Sequence, residues 1–300
     1  MSNSKALCLQ VSGFLQSTKP SIASKHTTDD FADHFLNKID NIHDATSNAL
    51  AAMIEHRSVP SPVTFWPFTA DEITRIVMES PKKQCSKDLA PTFFIKRLCS
   101  CTVLSTAVAA ICNASFTEGV LPVSQKHTIV RPRLKKSTLD ADDLNSYWPI
   151  SNLTFLSKTI ERVMATRFNE HADANDLLPL RQSAYRAHHS TETAVSDVHN
   201  RLVRNVDRGG HVSALVLLDL SSAFNTIEHA ILLDVLKTRF GIDGMALKWY
   251  CSYLSNRTQT FQVGTQNSKT FVVYCSLPQV SILEALKFVV YTEDLPAVIE

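Results

Sequence analysis

Three hundred residues suffice for one large domain or two ordinary ones, and 44% hydrophobic with 20% charged residues is the balance of a globular chain. Lys plus Arg at 30 against Asp plus Glu at 29 leaves a net charge of +1, which excludes a chain that is basic throughout. Any surface for a polyanion must therefore be local. Seven cysteines (Cys8, Cys85, Cys99, Cys101, Cys112, Cys251 and Cys275) are scattered without a Cys-x-x-Cys pair, the pattern of reduced intracellular thiols rather than of a disulfide frame or zinc site. Residues 1–25 lack a secretion signal, and no apolar run approaches the length of a membrane span. The expectation is a soluble intracellular protein with no membrane partner, nucleus and cytoplasm left open.

Residues 1–30 are rich in Ser and Thr and are predicted to be poorly ordered. Phe31, Phe35, Ile39 and Ile42 recur at helical spacing and predict a helix over 31–54, followed by a proline-marked linker over 57–67. Thr69 and Glu72 have the form of a capping box, with Phe68 placed to staple onto Ile73 and with Ile73, Ile76 and Val77 as the inner stripe. The run from Lys82 to Pro91 reads as a charged solvated loop.

The segment 121–136 holds the one basic cluster: Lys126, Arg131, Arg133, Lys135 and Lys136. Alternation around Ile129 and Val130 predicts a strand with cations on its open face. That arrangement suits contact with a phosphate backbone, which is electrostatic and blind to sequence. A soluble edge strand guarded by Lys and Arg would look the same. Asp140, Asp142 and Asp143 follow and partly cancel the field.

Leu156, Ile160, Val163, Met164 and Phe168 predict a helix over 156–171. Ser190 or Thr191 caps another, whose expected core stripe is Val195, Val198, Leu202 and Val206 and which ends at Gly209 and Gly210. Val212 to Leu218 is almost unbroken apolar sequence, the pattern of a central strand covered on both faces. Asp219 closes it: a carboxylate there either faces a metal ion or caps the turn at Ser221 and Ser222. Ile231, Leu232, Val235, Leu236 and Phe240 predict a helix closed by Gly241, and another spans 246–254. Strands over 259–263 and 270–274 flank a hairpin turn at 264–268.

Asp219-Leu220-Ser221-Ser222-Ala223-Phe224 resembles the first catalytic motif of reverse transcriptases, closest to the LINE-type, non-LTR retrotransposon branch. Tyr147-Trp148-Pro149-Ile150-Ser151 is similar to that family's Tyr-Arg-Pro-Ile-Ser, with Trp148 in place of the arginine. Gln182-Ser183-Ala184-Tyr185-Arg186 resembles its Gln-Ser-Gly-Phe-Arg. The run from Ser276 to Ala285 aligns with Gly-Val-Pro-Gln-Gly-Ser-Val-Leu-Gly-Pro, keeping Pro278, Gln279, Ser281 and Leu283 but replacing the later glycines by Val280 and Glu284. The family also has a segment like 82–91 ahead of the fingers, then helices like 93–98 and 103–116, and a basic finger strand where 126–136 falls.

The resemblance implies an α/β (α+β) fold, a partial right-hand polymerase with fingers, an incomplete palm and a helix-rich N-terminal part. The expected division is 1–60, a poorly ordered terminus and helix; 61–145, pre-finger and finger helices with the basic strand; and 146–300, the finger and palm core. It implies that Asp219 binds catalytic Mg²⁺ and that Phe224 packs where a ribose 2′-hydroxyl would sit. Gln279 would line the nucleotide pocket, and Lys126, Arg131, Arg133, Lys135, Lys136 and Arg186 would contact an RNA template and DNA primer. The family's Tyr-x-Asp-Asp hairpin belongs after 291–295 and the chain stops at Glu300, so only Asp219 carries over as a catalytic carboxylate; Glu293 and Asp294 are expected to be solvated. The expectation is a truncated, catalytically inactive reverse transcriptase fragment retaining at most nucleic-acid affinity. Two alternatives stand: an active RNA-directed DNA polymerase if further sequence completes the site, and a non-catalytic interaction protein reusing the scaffold.

Overall fold

The computed structural model describes residues 25–46, 59, 66–88, 90–99, 101–179, 182–186, 188–207, 209, 212–217, 227–275 and 281–294. Over them the chain mixes helix and sheet. The helices are α1 (Thr28–Thr46), α2 (Ala70–Glu79), α3 (Thr92–Cys99), α4 (Thr102–Glu118), α5 (Phe155–Ala174), α6 (Thr191–Asp207), α7 (His229–Thr238), α8 (Gly244–Leu254) and α9 (Ile282–Tyr291). The strands are β1 (His127–Leu134), β2 (Tyr147–Asn152), β3 (Arg257–Val263) and β4 (Gln266–Val273), in one sheet ordered β2-β1-β3-β4.

Local chemistry explains most of these boundaries. Thr27 and Asp30 exchange backbone-to-side-chain hydrogen bonds at 2.8 and 3.2 Å to open α1. Thr69 and Glu72 form the full capping box at α2, and Phe68 and Ile73 are both buried beside it. Gly119 takes φ +65 to stop α4, with the Val120 amide returning to Ser115 O at 2.9 Å. The hairpin turn is tighter than 264–268: Gly264 at φ +59 and Thr265 suffice, and β4 begins at Gln266.

Two proline placements show why β2 escaped prediction. Pro149 inside a six-residue run argues against a strand, yet β2 is an edge, where a missing N–H costs least. Its partner across the ladder is Pro132, so the two non-donors share one position that no hydrogen bond needs. Pro132 also lies past the β1–β3 ladder, which runs only from His127 to Val130.

The main core joins α2–α5 to α7–α9; within it Ile160, Val163, Met164 and Phe168 of α5 and Leu232, Phe240, Trp249 and Tyr253 are fully buried. A smaller core lies between α1 and the sheet, where Phe31 meets Tyr147 edge-on at 4.9 Å and Phe35 stacks on Phe261 at 5.9 Å.

Two expectations fail. The helix α6 forms where its cap and periodicity place it, but it buries no residue: Val195 is 62% exposed and Val206 67%, and only Leu202 of the expected stripe is half-buried. Residues 212–217 form no strand and are exposed, Val212 at 98% and Leu217 at 84%. An apolar run reports a tendency to be covered, not what covers it. A strand also needs a neighbouring ladder, and among the described residues no strand pairs with 212–217.

Candidate nucleic-acid interface and the buried charge cluster

The sheet has two unlike faces. Val130, Tyr147 and Phe261 point into the α1 core. Pleating sends Arg131, Arg133, Trp148 and Ile150 to the other side. The antiparallel register sets Arg131 opposite Ile150 and Arg133 opposite Trp148. From β3, Gln262 joins them: its Oε1 accepts Arg131 Nε at 2.9 Å and Nη2 at 2.5 Å. The loop at 84–85 covers the Asn152 end of this face through Asn152 Nδ2 to Gln84 O at 3.2 Å and Cys85 Sγ to Asn152 O at 3.4 Å. Toward Trp148 and Arg133 the face is open, both residues being exposed.

The other expected cations divide. Lys136 is exposed and Lys135 half-buried. Lys126 contradicts the expected open face: it is 6% exposed, and its Nζ donates to Ser252 Oγ at 3.3 Å and Ser255 O at 3.2 Å. Burial, and then the charge of Arg257, hold its pKa below the usual lysine range. It sits at the N-terminal end of the strand, where α8 covers the chain, and is spent on tying β1 to the end of that helix. Arg186 is half-buried with Nη1 donating to Pro179 O at 3.1 Å. The acidic run is engaged by backbone amides: Asp142 accepts the Lys25 amide at 3.2 Å and Asp143 the Asn145 amide at 2.9 Å.

Asp219, Phe224 and Gln279 lie outside the described residues. Among the described residues no three His, Cys, Asp or Glu side chains converge as a metal-binding group. Glu293 corrects the expectation of a solvated acid: it is 8% exposed and ion-paired with Arg239. Asp294 is exposed. Glu284 is also buried, with its amide capped by Ser281 Oγ at 3.1 Å.

Sequence reading missed a second charged group. Glu161 on α5 is 1% exposed; Tyr253 Oη donates to its Oε1 at 2.7 Å and the Ile282 amide to its Oε2 at 3.1 Å. Lys287 on α9, also 1% exposed, places Nζ 3.5 Å from the Tyr253 ring centroid, and the Arg257 guanidinium lies 4.7 Å from the same ring. Lys287 Nζ, Arg257 Nη2 and Tyr250 Oη find no hydrogen-bond partner among the described residues. Burial drives the Lys287 pKa well below the usual lysine range against the pull of Glu161, and lifts Tyr253 well above the usual phenol range. A signal did exist. Glu161 falls on one helical stripe with Met164, Ala165 and Phe168, and Lys287 on one with Leu283, Leu286 and Val290.

The sequence profile described as "Reverse transcriptase (RNA-dependent DNA polymerase)" matches residues 134–300, more than half the chain. The chain is 26% identical over 274 residues to "Probable RNA-directed DNA polymerase from transposon BS" of Drosophila melanogaster, covering 89% of this chain and 29% of that protein. It is 25% identical over 262 residues to "Probable RNA-directed DNA polymerase from transposon X-element" of the same species, covering 87% and 27%. It is 23% identical over 278 residues to "RNA-directed DNA polymerase from mobile element jockey" of Drosophila funebris, covering 91% and 30%. The chain belongs to the reverse transcriptase family, in the LINE-like retrotransposon branch that these relatives represent. It spans less than a third of the length of these curated relatives.

Proposed function

We propose that this chain is the finger region and part of the palm of a LINE-type reverse transcriptase, that it binds RNA, and that on its own it does not polymerise DNA. The observation that carries the binding is the open sheet face, where exposed Arg131 and Arg133 stand together on β1 with the first guanidinium oriented by Gln262. Guanidinium groups held on a strand present fixed donors to phosphate oxygens. Inactivity is supported by the 212–217 run, which leads to Asp219 yet forms no strand. A carboxylate that must hold a metal needs a rigid support.

The test is RNA binding by the purified chain as salt is raised. Each phosphate neutralised on a single strand contributes about 0.7 to the slope of log affinity against log salt. We expect the combined variant Arg131→Gln, Arg133→Gln to flatten that slope by roughly 1.4. A slope unchanged by the double variant would remove the interface from these residues.

A second reading has its own support. The exposed apolar surface at Val212, Leu215, Val216 and Leu217 is what a strand shows before its sheet neighbours are added. On that reading further sequence completes the palm and an active RNA-directed DNA polymerase results. Extension by a longer version, lost on Asp219→Ala, would establish it.

A further inference from the structure

Trp148 stands where the similar family motif carries an arginine, and its surroundings give it a use of its own. Trp148 is 51% exposed, on an edge strand, directly across the ladder from exposed Arg133. Side chains so opposed have Cβ atoms about 5 Å apart. Arg131 lies two residues along β1 on the same face, with two of its five N–H groups held by Gln262. An indole and two guanidinium groups therefore share one open surface, uncovered by α1 or by the loop at 84–85. A large ring left half in water gains by covering its apolar face, and the adjoining cations select a partner that is flat, apolar and anionic on one side. A nucleotide of a single strand has that shape and charge, its base for the ring and its phosphate for the arginines. A paired base does not, because its neighbours in the duplex already cover both faces.

We propose that Trp148 is a base-stacking residue, so that the open face of the sheet grips an unpaired nucleobase of a single-stranded RNA while Arg131 and Arg133 hold the adjoining phosphates. The proposal rests on the reading that this face binds nucleic acid, and adds that binding there is to bases as well as to backbone. The site would favour unpaired over paired strands without reading sequence, since every base offers a π face.

The experiment compares, by fluorescence anisotropy on the full chain, a labelled single-stranded oligouridylate of about twelve nucleotides with an abasic ribose-phosphate strand of equal length. Wild-type protein should bind the oligouridylate more tightly. Trp148→Ala should weaken binding to the oligouridylate roughly 5- to 150-fold, the range for one lost stacking partner, and leave the abasic strand's affinity and salt slope unchanged. Trp148→Phe should recover most of the loss. Because Trp148 is surface-exposed, thermal melts should show that both variants keep the wild-type fold. Equal loss on both strands, or no loss on either, overturns the stacking role while leaving the cationic interface standing. Failure of the wild-type chain to bind either strand overturns both the stacking role and the nucleic-acid reading beneath it.

Discussion

Lys287 Nζ lies 3.5 Å from the centroid of the Tyr253 ring, in the interior, and has no hydrogen-bond partner among the described residues. A ring face is a weak substitute for the water an ammonium gives up. The group is therefore driven toward its neutral form, and α9 docks on α5 and α7, with Lys287 reaching Tyr253 of α8, at a cost.

That cost depends on pH. The unfolded chain protonates Lys287 at the ordinary lysine pKa, whereas the folded chain does so only at a lower pH. Between those values the unfolded state binds more protons, so stability rises with pH toward about 10.4 and this contribution is lost on acidification. Lys287→Met should flatten the rise and raise stability near neutrality by about 1–2 kcal/mol. Chemical denaturation across pH 6–9 checks it; a destabilised variant with an unchanged pH slope would contradict it.

Glu161 pulls on the buried Lys287 amine and carries the Tyr253 and Ile282 hydrogen bonds. Glu161→Gln keeps an acceptor but removes the negative charge from the buried cluster, and should cost roughly 3–5 kcal/mol. Adding Lys287→Met should recover part of that loss, because two mutations in one charge network are not additive. A double-mutant cycle measures it, and strict additivity would mean the two groups do not interact.

Lys126 is the cation that the sequence misassigns. Lys126→Met should leave RNA affinity within about twofold while lowering stability by about 1–3 kcal/mol, since Ser252 Oγ and Ser255 O lose their donor. Binding lost in proportion to that of the Arg131 variant would return Lys126 to the interface.

Gly119 closes α4 at φ +65, where a Cβ would also come within 2.9 Å of Lys248 Cδ. The lysine stem can move aside, so the cost of Gly119→Ala is chiefly the left-handed backbone, about 1–2 kcal/mol. A thermal melt showing no change would contradict that account.

Where local chemistry decides, the sequence was legible. The Thr69 capping box, the α5 stripe and the β3–β4 hairpin each rest on neighbours within a few residues, and each forms as expected. The Val212 run and α6 depend instead on partners distant in the chain, and the pattern says only that the first is apolar nearly throughout and the second along one stripe. β2 was hidden by Pro149 because edge position is a property of the sheet, not of the segment. The family motifs, though degenerate, identified the reverse transcriptase relationship, since residue type at fixed spacing outlasts changes at single positions. The charge cluster at Glu161 and Lys287 was legible only as two polar interruptions on apolar stripes, with nothing to show that they meet.

Incubating the purified chain with a primed RNA template, deoxynucleotides and Mg²⁺ addresses the central claim, that this chain grips RNA without copying it. The account predicts a retained primer–template and no lengthened primer. Lengthened primer that disappears in the Asp219→Ala variant would contradict it.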